Sequence, residues 1–392
     1  MIYTPAFWTM AAANFAQTAS FSAFFLLPLY LLDHGGNRGD VGVVMGAFAL
    51  ASACCRPWVS EMIDRIGRKR SFTLGNVIML AAPLAYLGFA DPLGGGYPWL
   101  LLLRVVHGIG MAICFTAVFT YMADILPTDR FNEGIGMFGI SGLLGVAAGP
   151  LAAETILPHF GHAGIFLAAT GFSLLSLLVH LPLAESHAPT TPSRGPSFFT
   201  LLRRGKFVIV CLLATLFGFG LAGTGNFVAP LVAESGFGTV SSYYLWYAAG
   251  AIAIRFVGGQ LADRFGENRL LPWGIGFFAL GLALLPATRG PLLLNLAGAC
   301  AGIGHGLIFP TLNALAVRNE PGEVRGKATG IFTGGIDTGV FAGSLILGYI
   351  GEWFGLPALF WAAGAGMAGG LLLFGCRRPS AEEPKGKLTD ET

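Results

Sequence analysis

Charge is what this sequence has least of. Lys, Arg, Asp and Glu make up 11% of its 392 residues, against 54% hydrophobic residues. A water-soluble protein of this length needs far more charge to cover its surface, so a soluble fold is excluded and lipid is the expected solvent. Cysteine is scarce as well. Cys54, Cys55, Cys114, Cys211, Cys300 and Cys376 lie in or at the end of apolar stretches, and none forms a Cys-x-x-Cys pair. Apolar packing, not metal or redox chemistry, is their expected role. No Gly-Lys-Ser or Gly-Lys-Thr phosphate loop occurs, so ATP is not the expected energy source. No Ser/His/Asp constellation stands out, His159 and His162 lack a third metal ligand, and no enzyme, cofactor, metal or nucleic-acid partner is indicated. The start, Met1-Ile-Tyr-Thr4, lacks the basic stretch of a cleaved signal peptide, so the first apolar segment reads as a permanent helix.

What is present is a series of apolar segments, at about 5–32, 40–62, 72–90, 97–124, 131–157 and 163–183, then at about 204–233, 240–262, 270–287, 290–317, 325–351 and 356–376. A helix of about 20 apolar residues spans the hydrocarbon core. The expected fold is therefore an all-α integral membrane protein of twelve transmembrane helices in two six-helix repeats. The domains are expected at 1–183 (first bundle), 184–203 (a linker rich in Pro, Ser and Thr), 204–376 (second bundle) and 377–392 (a polar tail). With both termini on one side, 18 of the 23 Lys and Arg residues fall in loops or the tail on that side, which predicts that it is cytoplasmic. Glycine is about twice as frequent as in globular proteins, as suits close packing of membrane helices.

The halves repeat each other. Arg56, Asp64, Arg65 and Gly67 recur 199 positions later as Arg255, Asp263, Arg264 and Gly266. Gly108, Gly110, Pro127, Gly136, Gly145 and Gly149 recur 194 positions later as Gly302, Gly304, Pro321, Gly330, Gly339 and Gly343. Two parallel repeats place a substrate cavity at their interface near the bilayer midplane.

The loop after the second segment reads Asp64-Arg-Ile-Gly-Arg-Lys-Arg70, and its copy reads Gly259-Gln-Leu-Ala-Asp263-Arg-Phe-Gly-Glu-Asn-Arg269. Both resemble the G-x-L-A-D-R-x-G-R-K signature of the major facilitator superfamily. Ser60 replaces its first Gly in one copy, and Glu267-Asn268 replaces its Arg-Lys in the other. The resemblance implies a gating role for Asp64, Arg65, Gly67, Arg68, Asp263, Arg264 and Gly266. An Asp at a helix end accepts charge-assisted hydrogen bonds from neighbouring backbone or Arg, a latch that holds in one conformation and releases in another.

Arg104-x2-His107-Gly-Ile-Gly110 is similar to the R-x-x-Q-G-x-G element of that superfamily, with His107 for the usual Gln. In proton-coupled members this Arg is linked to proton transfer, which makes Arg104 a coupling candidate. An Arg tied to carbonyls, holding helices together, is the alternative. Gly142-x2-Gly145-x3-Gly149-Pro150 looks like a partial version of the exporters' Gly-Pro motif, and close packing without transport direction is its alternative.

Asp337 lies 12 residues beyond Arg325, so roughly 18 Å deep at 1.5 Å per residue, and its repeat position holds Leu143. A carboxylate isolated at that depth is disfavoured in its charged form, which suits proton binding and release. Hydrogen bonding between helices is the structural alternative. Arg56 and Arg255, each eight residues before a loop Asp, are expected to be scaffold or gating parts that snorkel or bond towards the loop motif, with substrate contact as the alternative. Asn14, Gln17, Asn226, His305 and Asn313 fall in segments that line the cavity in the superfamily, and with Phe nearby they imply a mixed polar and aromatic cavity.

The pattern is most similar to the sugar-efflux and drug–proton antiporter branches. It implies a secondary transporter in the cytoplasmic membrane that moves a small organic molecule by alternating access, with proton-coupled efflux, and a monomer. An uptake symporter of the same fold is the main alternative. A non-transporting membrane sensor is a weaker one, because both loop motifs are kept and no soluble domain is added.

Overall fold

The computed structural model describes residues 2–89, 92–127, 130–186, 196–265, 267–317, 320 and 322–375, without the side chains of 131, 132, 257–268, 322, 323 and 325. Gly266, linker residues 187–195 and the tail lie outside the described residues. Every regular element among the described residues is a helix. The first half comprises α1 (Pro5–Asp33), α2 (Arg38–Ile66), α3 (Arg68–Tyr86), α4 (Tyr97–Ile125), α5 (Phe131–Phe160) and α6 (Ala163–His180). The second comprises α7 (Gly205–Ser235), α8 (Val240–Phe265), α9 (Glu267–Leu284), α10 (Pro291–Val317) and the long element Gly322–Gly375. At Gly355 this last element leaves helical geometry (φ 84°, ψ 167°), and its parts, 322–354 and 356–375, are α11 and α12. Nine described stretches are long and apolar enough to cross a membrane, one of them running through α11 and α12.

Local chemistry sets the helix ends. Thr4 caps α1 by accepting from the Phe7 N–H, and Pro5 takes the first turn, where its missing N–H costs nothing. Asn37 and Asp40 form a reciprocal capping box on α2. Near Pro28, α1 tightens into a 3₁₀ turn at Phe24–Leu26, because Pro cannot donate to the ladder.

Large apolar side chains on the outer faces, such as Trp58, Trp273, Leu292 and Leu372, are exposed, as a lipid solvent permits. The buried core is unevenly distributed. One cluster runs through both halves, joining Tyr30, Val41, Met45 and Phe166 to Phe227, Tyr244, Leu347 and Leu356. At the opposite end each half has its own cluster: Phe7, Phe72, Tyr121 and Phe138 in the first, Leu201, Phe207, Val324 and Ile331 in the second. The halves are therefore sealed together at the end where α2 and α8 begin, and they part at the end where α2 finishes.

Polar contacts reinforce the sealed end. Arg38, at the start of α2, pairs with Glu234 of α7 at 2.5 Å. Its guanidinium also donates to the Gly351 carbonyl (3.1 Å), and its backbone N–H to Glu352 (3.0 Å). Across the pseudo-twofold, Glu154 of α5 accepts from the backbone N–H groups of Val240 (3.0 Å) and Ser241 (2.9 Å), a carboxylate on the positive end of α8. Arg38→Gln is expected to shift the balance towards opening at this end by about two- to fivefold, since an exposed ion pair contributes at most about 1 kcal/mol. Distances between spin labels at positions 99 and 237 of a cysteine-depleted protein check this; an unchanged distribution removes Arg38 from the latch.

Candidate functional site

Where the halves part, a cavity of about 930 Å³ lies between them. Its walls are mostly aromatic and aliphatic, including Phe21, Phe25, Phe48, Phe115, Tyr244 and Phe309, with a few polar groups set among them. Four of the five expected cavity residues line it. Asn14 donates to Ser141 of α5 (2.8 Å) and Asn226 to Ser344 of α11 (2.7 Å). His305 Nδ1 lies 2.5 Å from the Tyr247 hydroxyl, and Asn313 Oδ1 has no hydrogen-bond partner among the described residues. Gln17 is not in the lining. It is buried, and its amide nitrogen lies 4.0 Å from the Met111 sulfur, because its position on α1 turns it towards α4.

Asp337 lines the cavity, but it is not isolated. This corrects the expectation drawn from its depth in an apolar segment. Arg56 of α2 reaches it across the interface, with Nη2 and Nε at 2.7 Å and 2.8 Å from Oδ2. The Ser52 hydroxyl, one turn back on α2, donates to the same oxygen at 2.8 Å. Arg56 Nη1 donates to Thr116 of α4 (3.2 Å), and the guanidinium lies 5.5 Å from the centre of the Phe115 ring. Its side chain is 5% exposed, against 19% for Asp337, so the pair is walled in on the α2 side and open to the cavity on the other. Arg56 therefore turns away from the loop motif towards which it was expected to bond. A Ser four residues before an Arg, both within an apolar helix, was the signal for this pair. An Arg in a membrane segment is by default a functional group with a partner to be found.

Arg104 is buried at the cavity edge. It donates to the Val44 carbonyl (3.1 Å), and its Cζ lies 4.6 Å from the Phe48 ring centre. No carboxylate pairs with it among the described residues. His107, one turn further, is fully enclosed and packed edge-on against Phe24 and Phe48, with neither ring nitrogen hydrogen-bonded.

In the loop motif, Arg68 is the hub. It pairs with Asp64 (3.0 Å) and with Asp124 at the end of α4 (3.0 Å), and donates to the Ile63 carbonyl (3.2 Å). Arg65 points outward to Glu61. Gly67 has φ 102°, and a side chain there would run into Glu185. Glu185, from the segment after α6, accepts from the N–H groups of Arg68 (2.7 Å), Lys69 (3.0 Å) and Arg70 (3.2 Å), capping α3. The composition of the linker gave no sign of that role. Glu185→Ala is expected to cost about 1 kcal/mol, the usual worth of a lost helix cap, and to lower the thermal midpoint in detergent. In the second copy the side chains of Asp263 and Arg264, and all of Gly266, lie outside the described residues.

Gly145 and Gly149 face α1. Ser22 donates to the Gly145 carbonyl at 2.9 Å, and a methyl group at Gly149 would overlap the Ala19 carbonyl oxygen. Pro150 follows inside the helix.

Comparison with known proteins fixes the family. The model of the Major Facilitator Superfamily matches residues 9–321 and 234–391. The chain belongs to the major facilitator superfamily. Among relatives of this transporter, an uncharacterized MFS-type transporter of Methanocaldococcus jannaschii is 22% identical over 385 residues, covering 92% of each chain. The quinolone resistance protein NorA of Staphylococcus aureus is 24% identical over 369 residues, covering 88% of this chain and 89% of the relative. Solved structures share the fold. The human organic anion transporter MFSD10 (TETRAN) has a TM-score of 0.73 at 14% identity, covering 95% of this transporter and 100% of that chain. The nucleoside transporter NupG has a TM-score of 0.75 at 14% identity, covering 94% and 98%.

Proposed function

We propose that this transporter is a proton-coupled exporter of a small organic solute, working by alternating access with both termini in the cytoplasm. The observation that carries the coupling is the Asp337–Arg56 pair, a titratable cross-link between the two halves in the wall of the cavity. Efflux is supported by the relative named for quinolone resistance and by the Gly145, Gly149, Pro150 motif.

In this reading the sealed end faces outward and the cavity opens to the cytoplasm. Asp337 Oδ2 accepts all three bonds from Arg56 and Ser52, which leaves Oδ1 for a proton from cavity water. Protonation removes the negative charge, the bond to Arg56 weakens, and α11 is freed from α2 on the cavity side. Solute binding and the outer contacts of Arg38 and Glu154 then bias the same equilibrium from other points. Shifting a two-state equilibrium from 1:99 to 99:1 takes about 5.5 kcal/mol, within reach of one buried pair plus a bound solute. Arg104 is proposed to hold α2 against α4 about three helical turns from the pair, in a cavity shaped by Asn14, Asn226, His305 and Asn313.

The test uses inverted vesicles containing the purified protein, an imposed pH gradient and a fluorescent pH probe. Candidate sugars and amphipathic drugs are added singly. Solute-triggered proton release from the vesicle lumen supports antiport, movement of the opposite sign supports symport, and proton-independent flux removes the coupling.

A further inference from the structure

The pair between Arg56 and Asp337 has a half-built counterpart. Arg255 is the repeat mate of Arg56 and also lines the cavity. As Arg56 reaches from α2 to α11, Arg255 reaches from α8 to α5, where its Nη1 lies 3.4 Å from the Gly136 carbonyl oxygen. Gly139 makes room for it, since a methyl group built there would overlap the guanidinium. The position on α5 that corresponds to Asp337 carries no acid. It is Leu143, which lines the same cavity. Among the described residues no carboxylate pairs with Arg255, and its Nε has no hydrogen-bond partner. Glu133, one turn from Gly136 on α5, is held by Arg130 at 2.7 Å and 2.9 Å.

An arginine kept in a membrane cavity without a counter-ion is costly, and the cost persists only where something else meets it. The surroundings say what kind of group that is. Guanidinium geometry suits a carboxylate, bound through two parallel N–H bonds. The neighbouring walls, with Tyr247, Phe256 and Phe309, suit an aromatic or apolar body.

We propose that Arg255 is the anion-recognition site of the cavity, and that the transported solute is an amphipathic molecule whose carboxylate takes the place of the acid missing at Leu143. The proposal rests on the transport reading above and names its substrate class. It also accounts for the asymmetry between the halves: one arginine has its counter-ion within the protein, at Asp337, and its repeat mate is paired only when the cavity is loaded.

Binding to purified protein in detergent, measured by equilibrium dialysis, tests this with three probes of one shape: 2-naphthoate, 2-naphthamide and 2-naphthylmethylammonium. Wild type is expected to bind the carboxylate about ten- to a hundredfold more tightly than the amide, the worth of a charge-assisted contact, and the ammonium most weakly. Arg255→Gln removes the preference and Arg255→Lys keeps part of it. Leu143→Asp supplies the missing acid and abolishes carboxylate binding while the amide still binds, which guards against misfolding of the arginine variants. Equal binding of naphthoate and naphthamide, no saturable naphthoate binding, or a preference that survives Arg255→Gln overturns the proposal. Because binding is read without flux, a transporter that moves protons but shows no carboxylate preference loses this site alone. A preference that depends on Arg255 in a protein without coupled flux removes the coupling instead.

Discussion

Replacing Asp337 with Asn is expected to abolish solute-driven proton movement in vesicles while folded protein remains in the membrane. The amide keeps the shape of the carboxyl group and still accepts from Arg56 and Ser52, but it carries no titratable charge. The variant stands in for the protonated acid: the bond to Arg56 loses its charge assistance, and no proton can be bound or released. Arg56→Gln has a different consequence. It leaves the carboxylate facing the cavity with only Ser52 as donor, and breaking a buried pair from one side costs about 3–5 kcal/mol. The lower end is expected here, because 19% of the Asp337 side chain is exposed. The double variant should recover part of that loss, since it leaves no uncompensated charge. Proton-coupled flux at the wild-type level in Asp337→Asn would rule out Asp337 as the coupling site. A double variant whose loss equals the sum of the two single losses would show that the pair is not energetically coupled.

The second large effect concerns stability. Gly149→Val is expected to destabilise the first bundle by about 3 kcal/mol or more, because the added atoms overlap the Ala19 carbonyl oxygen and the Ser22 hydroxyl of α1. Backbone on backbone leaves no side chain to rotate away, so the helices must separate. Gly171 of α6 provides the contrast. Nothing lies within 4 Å of a methyl group built there, so Gly171→Ala should be neutral or gain up to about 1 kcal/mol from helix propensity. Thermal midpoints of detergent-solubilised protein distinguish the two. Equal midpoints for both variants would show that α1 and α5 are not held at the distance described.

The glycines themselves show how much was written in the chain. Their spacing of four in Gly145 and Gly149 announced a close helix contact, but the partner, α1, is a matter of tertiary placement. The cavity polarity was similarly foreshadowed. Asn14, Asn226, His305 and Asn313 reach the lining, whereas Gln17, only three residues from Asn14, turns towards α4, a difference of helical phase that composition does not carry.

The arginines are the sharper case. Repetition of Arg56 and Arg255 at one offset suggested common scaffold, because a duplicated residue looks structural when each half is considered alone. A twofold-related pair of residues at the seam between halves is also the pattern of a shared site. Telling the two apart required knowing what stands opposite each arginine: Asp337 opposite one, and Gly136 with Gly139 beside the other.

By itself the sequence determined the solvent, the helical class, the repeat and the family, because lipid imposes apolar runs of fixed length and each half carries the same loop motif. The tertiary structure alone decided which end of the two halves is sealed, that Asp337 has a counter-ion and that Arg255 has none among the described residues. Those facts depend on side chains some 120 to 280 positions apart in the chain. Helix periodicity fixes the face on which a residue lies, but not the helix that face will meet.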